Sequence, residues 1–169
     1  MPDIWGLAAI ASKFLIYLGG LTAAGTLFAC VVFRLSGLRA FAAFFAVLGL
    51  IGALVNFALA GALLTGDASG MADSEMLGLL WSTPAGDALA YRAGGLVLLI
   101  AGLFFGDRGL WVSALGGVLA LWSFATVGHV FDHGGLWLDA LLLFHLIAVA
   151  IWIGILGVDS GKGQDRITS

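Results

Sequence analysis

Cysteine occurs once, at Cys30, so the chain can form no internal disulfide, and it carries neither a CxxC pair nor a haem-attachment motif. Charge is scarce too, with seven Lys and Arg against ten Asp and Glu and a net charge of -3. A basic complement this small and scattered gives no sign of a nucleic-acid partner or of an anionic-lipid patch. No serine or carboxylate recurs with a histidine at a spacing that suggests a nucleophile and its base, so the chain is not expected to be an enzyme. The opening MPDIWG lacks the basic start and small-residue cleavage site of a secretory signal, and the first apolar run is expected to stay as a helix. What the chain has in abundance is apolar surface: 62% of its residues are hydrophobic and the mean hydropathy is +1.11. That composition belongs to an integral membrane protein.

Unbroken apolar runs predict an all-α, polytopic transmembrane helix bundle with about five spans, near residues 7–33, 38–64, 89–105, 110–130 and 136–158. Residues 1–158 then form the bundle and 159–169 a short tail. The second connection holds MLGLLW, from Met76 to Trp81, an apolar run too short to span that reads as a short interfacial helix closed by the STPAG turn. Arg34, Arg39, Arg108, Lys162 and Arg166 fall at alternate connections. The positive-inside rule therefore puts the C-terminus in the cytoplasm and the N-terminus, the acidic second connection and the FDHGG connection outside. Lys13 and Arg92 oppose this pattern, but each sits near the outer end of a span, from which a long side chain can snorkel. Trp5, Trp81 and Trp137 fall near the interfaces, as an aromatic belt does. Glycine pairs such as Gly49/Gly52, Gly94/Gly95, Gly116/Gly117 and Gly154/Gly157 suit close helix packing, and no internal repeat is evident.

The candidates for chemistry are the three histidines. His129 and His133 are four residues apart, so on a continuing helix both imidazoles share a face with Asp132 beside them, which is metal-ligand spacing. His145 lies about nine residues into the last span, roughly 13 Å from its start. His129 is about six residues in from the same turn, at a depth that differs by only a few ångströms, which makes a shared site geometrically possible. An ionisable group at such depth costs roughly 2.5 kcal/mol or more on insertion scales and is by default a functional candidate. The plainer readings are a loop histidine at His133, a helix-end histidine at His129 and a hydrogen-bonded packing histidine at His145. Auxiliary candidates are Met71, whose thioether suits Cu(I), and Cys30, the last member of a Thr22, Thr26, Cys30 stripe that helix packing also explains. Asn56 is the single amide within a span, again a residue that interhelical hydrogen bonding accounts for.

Gly128-His129, followed by HLIAVAIWIGIL with His145, Trp152 and Gly154, resembles the C-terminal signature of the CopD family of copper resistance membrane proteins. ASKFLIYLGGLTAAGTLF (Ala11 to Phe28) resembles an early helix of that family, and STPAGDALAYRAGGL (Ser82 to Leu96) its Thr-x-x-Gly turn leading into a helix with a basic residue near the start. The resemblance implies a multi-pass protein of the bacterial inner membrane, associated with copper import or tolerance, with His129 and His145 in the family's motif. It implies a periplasmic copper-binding partner or a larger membrane complex as well, in a family whose members usually have more helices than this chain. A similar His-x6-Trp-x-Gly run occurs in the short membrane protoporphyrinogen oxidases, where the histidine is associated with haem. Three functional expectations follow. The first is a copper-handling protein that uses His129, His145 and His133. The second is a b-type haem protein with His129 and His145 as axial ligands. The third is an accessory subunit of a larger membrane complex.

Overall fold

A computed structural model describes residues 4–33, 37–126 and 135–165 of the chain. Among these residues the fold is all-α: α1 (Ile4–Phe33), α2 (Arg39–Thr65), a 3-10 turn (Ala68–Met71), α3 (Ser74–Trp81), α4 (Pro84–Leu103), α5 (Gly106–Trp122) and α6 (Gly135–Asp165). The long helices are apolar around their whole circumference, the pattern of membrane spans rather than of surface helices. Large apolar side chains such as Phe14, Phe44, Leu115, Phe144 and Trp152 cover the outside of the bundle, a surface that lipid solvates and water would not tolerate.

Four stretches are long and apolar enough to cross a membrane: α1, α2, α4 and Trp137–Leu156 within α6. The helix α5, with 17 residues, is about 25 Å long against a hydrocarbon core of about 30 Å. It nevertheless runs antiparallel to α4 along its length. Ser113 Oγ donates to the Leu99 carbonyl at 2.8 Å, and Gly95 and Gly116 let the two backbones touch so closely that a Cβ at either would collide with the other helix. The sequence reading starts α4 at residue 89. In the structure it begins at Pro84, because Thr83 caps it, its Oγ1 accepting from Ala85 N at 3.3 Å, and proline suits the first helical turn. The STPAG segment is thus both the exit of α3 and the cap of α4. The short helix expected over Met76–Trp81 starts at Ser74, with Asp73 accepting hydrogen bonds from Glu75 N and Met76 N.

The central helix is α1, which touches α2, α5 and α6, while α2 also packs on α4. Ala23 and Leu27 of α1, Ala46 of α2, Leu96 and Leu99 of α4 and Ala120 of α5 form one buried cluster, the core of a four-helix bundle. A second cluster, of Ala24, Phe28, Leu121 and Ala150, fastens α6 to α1 and α5. Gly25 and Gly154 meet at this seam, where a Cβ on either would overlap the other helix's backbone. At the end of the bundle where α4 turns into α5, Arg39 pairs with Asp107 at 2.5 Å. The opposite end, where α3 lies across α2 and α4, is called here the α3 end.

Candidate metal site at the α3 end

The residues singled out in the sequence occupy separate places. Gly128, His129, Asp132 and His133 lie outside the described residues. His145 is on the exposed face of α6, ten residues past Gly135 and so about 15 Å along the helix, beside the exposed Phe144. Cys30 is fully buried near the far end of α1, about 39 Å along that helix from Ile4. Met71 closes the 3-10 turn at the α3 end and is part-exposed. His145, Cys30 and Met71 do not come together, and among the described residues no group of three or more His, Cys, Asp or Glu is placed to hold a metal ion. The Thr22, Thr26, Cys30 stripe is buried in the core, with the Thr26 hydroxyl lacking a hydrogen-bond partner among the described residues. Trp152 is 67% exposed, whereas Gly154 is the seam glycine against α1. Asn56 reaches α1, its Nδ2 donating to Ser12 Oγ at 2.8 Å.

What the α3 end does assemble is a cavity with two carboxylates in its lining. A cavity of about 260 Å³ is lined by Pro84, Asp87 and Tyr91 of α4, by Trp122, Ala125 and Thr126 at and just past the end of α5, and by Asp139 of α6. Pro84, Asp87 and Tyr91 stand at i, i+3 and i+7, one face of α4. The cap at Thr83 brings Asp87 into the helix's first turn, where a carboxylate is favoured by the helix dipole. Asp139 comes from the second turn of α6, about 6 Å below its start. It is only 7% exposed, and its Oδ1 has no hydrogen-bond partner among the described residues. A buried acceptor left without a partner carries the full desolvation cost of that atom. The Thr126 hydroxyl is already engaged with the Ser123 carbonyl at 2.9 Å.

In the sequence Asp139 reads as a lone interruption of an apolar run, and Asp87 as one of several loop acids, so neither stands out as a ligand. The signal is nevertheless there: a carboxylate within a span carries the same insertion cost as a histidine there. Its partner is hidden because hydropathy starts α4 five residues late.

A family model described as copper resistance protein D-like, N-terminal domain, matches residues 1–140. No curated protein and no solved structure matches the chain.

Proposed function

This chain belongs to the copper resistance protein D-like family, and from that premise we propose that it is a copper-handling membrane protein that takes up its cargo at the α3 end of the bundle. The observation that carries the reading is Asp139, which lines a cavity with Asp87 and whose Oδ1 is buried without a hydrogen-bond partner among the described residues. Thr126 brings the chain from this cavity into the segment that bears His129 and His133, and those imidazoles are the nitrogen ligands that would complete a carboxylate-imidazole set. Oxygen and imidazole donors suit Cu(II), while Met71 offers the thioether that Cu(I) prefers. His145 cannot share one ion with Asp139 on a regular helix. Six residues place the two about 9 Å apart in rise and about 120° apart around the axis, and Asp139 is buried where His145 is exposed. His145 is therefore a second station, further along α6.

The role is binding and passage rather than catalysis. Arg39 and Arg108 at one end, against Asp73, Glu75 and Asp87 at the other, support an inner-membrane orientation with the α3 end outside and the C-terminus in the cytoplasm. A periplasmic copper-binding protein would then meet the site from the outer face. One observation favours a second reading, a b-type haem with His145 as an axial ligand: an imidazole exposed on an apolar helix face has room for a flat macrocycle beside it.

Metal analysis and an absorption spectrum of the detergent-purified protein separate these readings. Stoichiometric copper in the wild type, with affinity lowered at least about tenfold in Asp139→Asn, is the expected result, since one charge-bearing ligand is worth about 1.4 kcal/mol or more. A Soret band that disappears in His145→Ala would instead establish the haem reading. Copper held equally by wild type and Asp139→Asn would remove the carboxylate site.

A further inference from the structure

A second cavity lies beside the one lined by Asp87 and Asp139, on the adjacent face of α4, and its charge is of the opposite sign. It measures about 300 Å³ and its polar lining is Lys13, Tyr17, Asn56 and Arg92, with no carboxylate among the lining residues. The apolar remainder includes Ile16, Phe57, Leu89 and Phe124. Among the described residues neither Lys13 nor Arg92 has a carboxylate partner, the single ion pair being Arg39 with Asp107 at the far end.

The two cations line one cavity from two helices. Lys13 is nine residues past the start of α1 and Arg92 eight past the start of α4, so both lie about 12 to 13 Å along their helices from the α3 end. Since α1 has 30 residues, it is about 45 Å long, more than a hydrocarbon core of about 30 Å requires. Lys13 and Arg92 both fall within helices of membrane-spanning length and apolarity. An uncompensated charge there is expensive. Lys13 is exposed and can bend its stem toward the interface, but Arg92 cannot. Its Nε donates to Ser123 Oγ at 3.0 Å, and its guanidinium carbon lies 4.8 Å from the centroid of Phe124. Phe124 is itself stacked on Tyr17 with ring centroids 4.8 Å apart. The stack and the serine fix the guanidinium plane and leave its two terminal nitrogens without hydrogen-bond partners among the described residues. A planar fork held open beside a lysine is the arrangement that recognises an oxyanion.

We infer that this cavity binds a phosphate-bearing anion, with its oxygens between Arg92 and Lys13, and that the native ligand is the headgroup phosphate of an anionic phospholipid. A lipid is favoured over a free anion because the cavity opens on the outside of a bundle whose surface is apolar, and its lining sets the two cations among apolar side chains, with Lys13 exposed. A copper cation is excluded here by the charge of the lining. The sequence shows no basic cluster that would reveal the site, because its two cations come from α1 and α4.

Native mass spectrometry of the purified full-length chain, given phosphatidylglycerol or phosphatidylcholine with the same acyl chains, tests the inference. One phosphatidylglycerol should be retained in preference to phosphatidylcholine. Retention should fall at least about tenfold in Arg92→Gln and less in Lys13→Gln, and Arg92→Lys, which keeps the charge without the fork, should restore it only in part. Thermal unfolding in millimolar inorganic phosphate is the second arm. Stabilisation by phosphate that Lys13→Gln abolishes, without any preference for phosphatidylglycerol, would keep the oxyanion site and reassign its source to a free anion. Equal retention of both lipids with no effect of phosphate would overturn the inference, as would retention unchanged in Lys13→Gln and Arg92→Gln. Lys13 is exposed, so its variant should fold even if Arg92→Gln does not. None of these readings depends on copper.

Discussion

Replacing Gly154 by alanine should loosen α6 from the rest of the bundle. A Cβ at this position would fall 2.7 Å from Thr26 N and closer still to the carbonyl of Gly25. Ordinary contact begins near 3.4 Å, so the α1–α6 seam must open by roughly an ångström, and both obstructing groups are backbone that cannot rotate away. Overpacking of this kind costs about 1–3 kcal/mol. The gain in helix propensity from glycine to alanine is at most about 1 kcal/mol, so the overlap wins and the net effect is a destabilisation of roughly 1 kcal/mol. No hydrophobic force in lipid compensates, because lipid tails are as apolar as the side chains they replace, and helix association rests on close packing. The loss should extend along the contacts that Ala24 and Phe28 make with Ala150 and its neighbours. Reversible unfolding in mixed dodecylmaltoside and SDS micelles measures it, with Gly94→Ala as the control, since a Cβ at Gly94 meets nothing within 4 Å. A Gly154→Ala protein as stable as Gly94→Ala would refute the close approach of α1 and α6.

Thr83→Ala removes the cap of α4 and should cost about 1 kcal/mol; it should also weaken copper retention, because the same turn fixes Asp87 in the cavity. Asn56→Leu breaks the α1–α2 hydrogen bond to Ser12, and the same unfolding assay should show a loss of about 0.6 kcal/mol, the average for such bonds in a membrane bundle. Arg39→Ala should change stability by less than about 1 kcal/mol, and by still less in high salt, because Asp107 is largely exposed. The Asp67 carboxyl is held below its ordinary value by the Ser69 hydroxyl and the Ser69 backbone N–H. Its contribution to the 3-10 turn is present above the unfolded carboxylate range and is lost as pH falls through the folded value, so the protection of amides 68–71, taken relative to their intrinsic exchange rates at each pH, should fall in acid in the wild type and stay unchanged in Asp67→Asn.

Composition and apolar periodicity are enough to show an all-helical membrane bundle, because hydrophobic runs of span length seldom arise in a chain that folds in water. The boundaries are harder. Hydropathy alone starts α4 at the first unbroken apolar run and misses the polar first turn after Thr83, whose cap and proline are local signals that hydropathy does not register. Glycine packing is legible as a tendency and not as pairs: Gly154 meets Gly25 and Gly95 meets α5, while Gly94, one residue away, faces open space. The carboxylate cavity escapes the sequence for a different reason. Asp87 and Asp139 are brought together by three helices, and spacing along the chain carries no trace of that. Histidines draw attention because they are few and chemically versatile, yet burial separates His145 from Asp139 more sharply than residue type does.

The arrangement of charge around α4 sharpens the functional reading. Asp87 and Tyr91 face the acidic cavity, while Ala88, Leu89 and Arg92 face the basic one, so one helix divides two chambers of opposite sign at the same end of the bundle. In a medium of low dielectric, a cation between the aspartates and an anion between Lys13 and Arg92 would each feel the other through that helix, and the field of the anion would favour the copper. Loading the basic cavity should therefore tighten copper binding, and by reciprocity copper should tighten retention of the anionic lipid by the same factor. Copper titration of the protein in nanodiscs with and without phosphatidylglycerol reads that coupling directly. Identical copper affinities in the two membranes would mean that the chambers act independently, with α4 and its solvation screening one from the other.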